Sequence, residues 1–166
     1  MPLLPDTLNK YNKNIFIETG SYFGEGIQFA LDCHYTEIHS IEINFDLYHN
    51  LRNKFVNIPQ VHLYHGDSTT LLPKILSTID KTFTCWLDAH PDGELSLKSC
   101  PLISELEAIK KWMEKNNMVP AVLCDDMRLF PNEDIKTLLQ YCHNMEAFTV
   151  NRIDSPVLPR DILELT

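Results

Sequence analysis

A chain of 166 residues, 44% hydrophobic and 22% charged, is about one domain's worth at roughly 150 residues per domain, with enough apolar material to bury a core without disulfide staples. Fourteen Lys and Arg against 23 Asp and Glu give a net charge of −9, which lacks the basic footprint of a nucleic-acid or anionic-membrane binder. No apolar run approaches the ~20 residues of a membrane span, and the start, MPLLPDTLNKYNKN, has no basic stretch leading into an apolar one, so no secretory signal is expected. Five widely spaced cysteines without a CxxC predict reduced thiols in a cytoplasm, several of them small core residues.

Asn14 to Glu18 is a short apolar run ending in an acid, and Ile27, Ala30 and Leu31 follow at helical spacing. Ile38 to Ile43 reads as a second strand, with Asn44 placed to cap the next helix. Leu47, Leu51 and Phe55 repeat every four residues, one apolar stripe. Val61 to His65 is a third strand, stopped by Gly66; Leu72, Ile75, Leu76 and Ile79 form the next stripe. Thr82 to Asp88 is a fourth strand, and a polar loop runs on to Cys100. Pro101 suits the first turn of a helix whose buried face is Leu102, Leu106, Ile109 and Met113. Ala121 to Asp125 is a fifth strand; Asn132 is expected to cap a last helix, with Glu133 and Asp134 against its dipole. Ala147 to Val150 and Asp161 to Leu165 are weaker sixth and seventh strands. No repeat, low-complexity stretch or linker divides the chain, so 1–166 is expected to be a single domain.

Strands alternating with helices of this length predict an α/β fold: a doubly wound, mostly parallel sheet of six to seven strands with helices on both faces. Right-handed crossovers then line the strands' carboxyl ends along one edge, where such folds bind ligands. All five glycines (Gly20, Gly24, Gly26, Gly66, Gly93) fall just beyond predicted strand ends, as do Glu18, Glu42, Asp67, Asp88, Asp125 and Asp126. Turn preference alone accounts for one or two such ends; five in a row point to a ligand edge.

Between the first strand and helix, Glu18-Thr-Gly20-Ser21-Tyr22-Phe-Gly24-Glu-Gly26 has the order GxxxGxG rather than the dinucleotide GxGxxG. With its leading acid it resembles the first motif of the class I S-adenosyl-L-methionine-dependent methyltransferases, and the resemblance covers roughly residues 14 to 152. It implies that Glu42, followed by Ile43, binds both ribose hydroxyls, a task that suits a carboxylate. It implies further that Gly66-Asp67-Ser68 reads the adenine, and that Glu18, Gly20, Ser21, Tyr22, Gly24, Gly26 and Asp88 complete the cofactor site. Tyr22 either packs on the cofactor or joins the core, and Phe23 is expected in the core.

Asp88-Ala-His90 and Asp125-Asp126 resemble the acid positions of the metal-dependent O-methyltransferases. There, Asp88, Asp125 and Asp126 would hold one magnesium ion (Mg2+), a hard cation suited to oxygen ligands, which lowers the pKa of an acceptor hydroxyl. The bland reading gives Asp125 and Asp126 to capping and Asp88 to the cofactor's amino acid end. Without a metal, His90 is the natural general base, so Asp88 and His90 are the catalytic candidates. The resemblance also implies helices ahead of the first strand to cover the substrate, and only about a dozen residues stand there. An open site, a homodimer or a partner domain is expected in consequence. The Ala89–Cys100 loop and Met127–Phe130 are the remaining candidates for a substrate wall.

These features together predict a methyltransferase acting on a hydroxyl of a small molecule or sugar, with no nucleic acid and no membrane as partner. A nicotinamide-dependent oxidoreductase is the first alternative, favoured by Glu42 and opposed by the glycine order. A non-catalytic methyltransferase-fold subunit is the second. Asp88-Ala-His90-Pro-Asp92 also resembles the DAHxD segment of the arginase-like ureohydrolases. That family's further metal segments are missing, and Asp92 reads more simply as a Pro-Asp-Gly turn. Lys110 and Lys111 read as a solvated face and Trp112 as core or interface; His34, His39, His49, His62, His65 and His143 show no ligand spacing.

Overall fold

A computed structural model describes residues 5–91, 93, 95–155, 158–159 and 161–166; the expected Asp92 turn lies outside them. In chain order the elements are α1 (Pro5–Lys10), β1 (Ile15–Thr19), α2 (Glu25–Asp32), β2 (Glu37–Glu42), α3 (Phe45–Lys54), β3 (Val61–His65) and α4 (Ser68–Leu76), then β4 (Thr84–Leu87), α5 (Leu102–Asn116), β5 (Ala121–Cys124), α6 (Asn132–His143), β6 (Val150–Ile153) and β7 (Ile162–Leu165). The sheet order is β3-β2-β1-β4-β5-β7-β6. β1 to β5 pair in parallel, and β7 runs antiparallel to both its neighbours. This is the expected doubly wound α/β sheet.

The two-residue period of the strands divides the core. Ile15, Ile17, Cys85, Leu87, Val122 and Cys124 face α4, α5 and α6, whereas Phe16, Ile38, Trp86, Ala121 and Leu123 face α1, α2 and α3; successive side chains leave opposite faces of a strand. The four predicted helix stripes are the buried ones, except that Leu31 and Leu47 stop half-buried. Trp112 lies in the core, edge-on to Phe83, its indole N–H donating to the Ile79 carbonyl at 2.8 Å.

Several boundaries differ from expectation. α1, six residues long, is too short to show a helical period, yet its Leu8 is fully buried. Asn44 caps α3 as expected, accepting from the Asp46 and Leu47 amides. Asn132 does not cap α6: Pro131 holds that position without a side-chain bond, and Asn132 is the first helical residue. The sixth strand begins at Val150, where the expected one ends. Of the expected Met127–Phe130 wall, Met127 and Phe130 are buried, because Met127–Leu129 is a single 3-10 turn whose first amide is held by the Asp161 carbonyl, while Arg128 reaches the ligand edge.

Candidate active site

The carboxyl ends of β1 to β5 open into one cleft of about 1030 Å³. β1 delivers Gly20, Ser21, Tyr22 and Phe23 to its wall, and β2 delivers Glu42, Ile43 and Asn44. β3 delivers Gly66, Asp67 and Ser68; β4 delivers Asp88, Ala89 and His90; β5 delivers Asp125, Asp126 and Arg128. The loop after β4 adds Pro91, Lys98, Ser99 and Cys100, so this expected wall stands where the sequence placed it.

Gly20 has φ +83, and a Cβ there would collide with the Asp88 carbonyl, so only glycine lets β1 turn this close to β4. Gly24 and Gly26 take no part in the wall. A Cβ on Gly24 would meet Leu51 and Phe55 of the neighbouring helix end, so Gly24 serves packing, and Gly26 is buried in α2. Phe23 is 57% exposed, against the expected core position, and its ring stands 4.1 Å from that of Tyr22 at the mouth.

Glu42 is 5% exposed and organised from both sides. Its Oε2 accepts from the Tyr22 amide at 2.9 Å and its Oε1 from the Asn44 amide at 2.8 Å. Each oxygen keeps further lone pairs for a ligand. Asp67 caps α4, one oxygen accepting from the Thr69 amide and hydroxyl, both at 2.8 Å. Glu18 is fully buried behind the wall rather than in it. It accepts from Ser40 at 2.6 Å, and Ser40 meets the wall residue Ser21 at 2.5 Å. Burial pushes the Glu18 carboxyl up to about 8, against the Ser40 hydrogen bond; its Oε1 has no partner.

The far end of the cleft is a charge cluster. His90 Nε2 lies 3.2 Å from Asp88 Oδ1 and 3.0 Å from Asp126 Oδ2. Arg128 pairs with Asp126 Oδ1 at 2.5 Å and with Asp161. Hydrogen bonds to Asp126 and then Asp88, against burial, push the His90 imidazole up to about 10, so with these partners alone the ring carries a proton at neutral pH. Burial raises Asp126, but the His90 hydrogen bond and Arg128 prevail and hold it below its usual range. Burial, then Asp88, pushes Asp125 up to about 8. Its Oδ1 accepts from the Asp126 amide at 2.7 Å, and its Oδ2 is buried without a partner.

Among the described residues, two groups bring three metal-ligating atoms within 4.8 Å of one another: Asp88, His90 and Asp126, and Asp125, Asp126 and Asp161. The expected magnesium trio Asp88, Asp125 and Asp126 is neither of them. The group with oxygen ligands alone already holds the Arg128 guanidinium between Asp126 and Asp161, so it does not suit a hard divalent ion.

Sequence reasoning gave no site role to Asp161 or Glu105. Asp161 precedes β7, whose reversed direction brings its amino end to the ligand edge. Arg128 lies within the expected Met127–Phe130 wall, but its pairing with Asp126 and Asp161 was not foreseen. Glu105 is 1% exposed on α5, and burial pushes it up to about 7, opposed by a Ser68 hydrogen bond. Its signal was present, since it stands three residues after Leu102 and four before Ile109, on the apolar stripe.

No protein-family model and no curated protein matches the chain. A Streptococcus mutans protein assigned as a methyltransferase, crystallised with SAH, is 19% identical, over 97% of this chain and 93% of that one, at a TM-score of 0.64. The O-methyltransferase TomG of Streptomyces achromogenes, in complex with SAM, is 15% identical over 97% and 75%, at 0.64. A Clostridium thermocellum protein assigned as an rRNA methylase is 14% identical over 97% and 92%, at 0.60. At these identities the likeness establishes the fold, which is the Rossmann-like fold shared by these methyltransferases.

Proposed function

We propose that the protein is an S-adenosyl-L-methionine-dependent methyltransferase that moves the sulfonium methyl to a hydroxyl oxygen of a small molecule or sugar. The observation that carries this reading is Glu42, buried at the end of β2 with both oxygens oriented by backbone amides. A carboxylate so fixed accepts from both hydroxyls of a ribose without further ordering. Asp67 and Ser68 stand one strand further out for the adenine, and Ser21, Tyr22 and Asp88 on the other side for the amino acid end. The Gly20 and Ser21 amides both donate to the Ile41 carbonyl, at 3.0 and 3.2 Å. They are therefore not free to cradle a pyrophosphate, which counts against the nicotinamide alternative.

In the reaction the acceptor oxygen attacks the methyl carbon, the carbon–sulfur bond breaks towards sulfur, and the acceptor's proton leaves to a base or to water. A neutral sulfur product replaces the cation, so the acids lining the cleft favour the charged cofactor over its product. The net charge of −9 and the acid-lined walls repel a polyanion, which favours a small acceptor over RNA. The test is formation of S-adenosylhomocysteine from S-adenosylmethionine with hydroxylated small molecules and, separately, with RNA. Turnover with the former and none with the latter is expected; methylation of RNA alone would overturn the acceptor class.

A further inference from the structure

We propose that the furrow between α4 and α5 binds a small anionic amphiphile, an apolar chain ending in one carboxylate, with Lys111 as its principal partner. The furrow is a cavity of about 350 Å³, apart from the cleft except that Thr69 and Ser104 line both. Local spacing makes it. Ser104, Ala108, Lys111 and Lys115 recur every three or four residues, so they share the face of α5 that looks on α4. Thr69, Pro73 and Ser77 do the same along α4 and its end. Most of these side chains are short, so the two helices meet without filling the space between them. The floor is apolar, formed by Leu76, Ala108 and Trp112, each less than a tenth exposed.

Charge fixes the class of occupant. Lys111 has Glu107 four residues before it and Glu114 three after. Among the described residues it pairs with neither, and Lys115 pairs with no acid. Two unpaired ammoniums beside an apolar floor, on a chain of net charge −9, attract an anion with an apolar body. Lys115 stands in the last turn of α5, where it also offsets the helix dipole; Lys111, one turn further in, is free for a ligand. The cleft end does not suit an acid group. Glu107 stands on that side of Lys111, and Pro73, inside α4, has no amide hydrogen for the Thr69 carbonyl. The carboxylate therefore lies at Lys111 and the chain runs towards Ser104, along about 10 Å of helix, which an eight-carbon chain spans. Size decides against a protein occupant. A cavity of about 350 Å³ is at the lower end of small-molecule sites, whereas a stable protein partner needs ~800 Å² of surface on each side.

Binding here is read without cofactor or turnover, so it stands or falls apart from the methyltransferase reading. The experiment titrates octanoate, below its micelle concentration, into the intact 15N-labelled protein and follows backbone amide signals by NMR. Octanol is the neutral probe. Saturable shifts centred on Ser77, Ala108, Lys111 and Lys115 are expected. Lys111→Gln, at an exposed position, should weaken octanoate about fivefold and leave octanol unchanged. Ala108→Phe, checked for a cooperative unfolding transition, fills the furrow and should abolish both. Absence of saturable octanoate binding would overturn the proposal, as would shifts centred on the cleft. Equal weakening of both probes by Lys111→Gln would overturn the role of the charge. Shifts at the same residues on raising protein concentration alone would give the furrow to a second copy of the chain and overturn the proposal too.

Discussion

Gly20→Ala tests whether the turn after β1 is a steric requirement of the cleft. The new Cβ falls on the Asp88 carbonyl, and φ is +83. The neighbour is backbone, fixed because the Asp88 amide donates to the Thr19 carbonyl at 3.0 Å; no side chain can swing aside. The left-handed conformation costs ~1–2 kcal/mol for an alanine, and forced overlap in packed structure adds ~1–3 kcal/mol. Taking ~3 kcal/mol, and 2–4 °C per kcal/mol for a domain of about this size, the melting temperature should fall by about 6–12 °C. Gly93→Ala is the control: its φ is +104, but nothing lies within 4 Å of the added Cβ. Only the conformational cost applies, about 1 kcal/mol and so about 2–4 °C. Urea and thermal unfolding of both variants measure the difference. Equal losses for Gly20→Ala and Gly93→Ala would refute the close-approach argument.

Stability should decline with rising pH because of Glu18. Its carboxyl rises from 4.5 to about 8 on folding, so between these values the folded protein holds a proton that the unfolded chain has released, and stability falls as pH climbs through that window. Glu18→Gln should reduce the decline between pH 5 and 8, leaving the parts due to Asp125, which spans 3.8 to about 8, to Glu105, which spans 4.5 to about 7, and to His90 above 6.5; an unchanged slope in urea midpoints would contradict this. Asn44→Ala removes a cap accepting from two amides and should cost ~1 kcal/mol, read from the same unfolding curves. Burial pushes the Cys100 thiol up to about 11, and the other four cysteines are buried. Iodoacetamide at pH 8 should therefore label the folded protein slowly, and rapid labelling in minutes would count against that environment.

What the sequence made legible was the part written in short range. Alternating strands and four-residue stripes gave the doubly wound sheet, because the buried faces of α4 and α5 follow from local spacing alone. The acids and glycines at successive strand ends gave the cleft, since parallel crossovers force all those ends to one edge. What stayed hidden depends on distant pairing. Nothing in Ile162–Leu165 announces that β7 runs backwards, and that reversal is what brings Asp161 to Arg128 and Asp126. Likewise the acid pair suggested a magnesium set, whereas the side chains that converge include His90, placed by the turn after β4. Phe23 looked like core by its chemistry, but it stands exposed beside Tyr22 at the mouth of the cleft.

The central claim is that the cleft binds S-adenosylmethionine through Glu42. The most direct measurement is calorimetric titration of S-adenosylhomocysteine into the wild type and Glu42→Gln. The substitution keeps the size of the side chain but loses the charge and one acceptor oxygen. Charge-assisted hydrogen bonds contribute ~1.5–3 kcal/mol, so affinity should fall by about 10- to 100-fold from a micromolar wild type, at unchanged one-to-one stoichiometry. No binding by a folded wild type, or equal affinity in both proteins, would contradict the account.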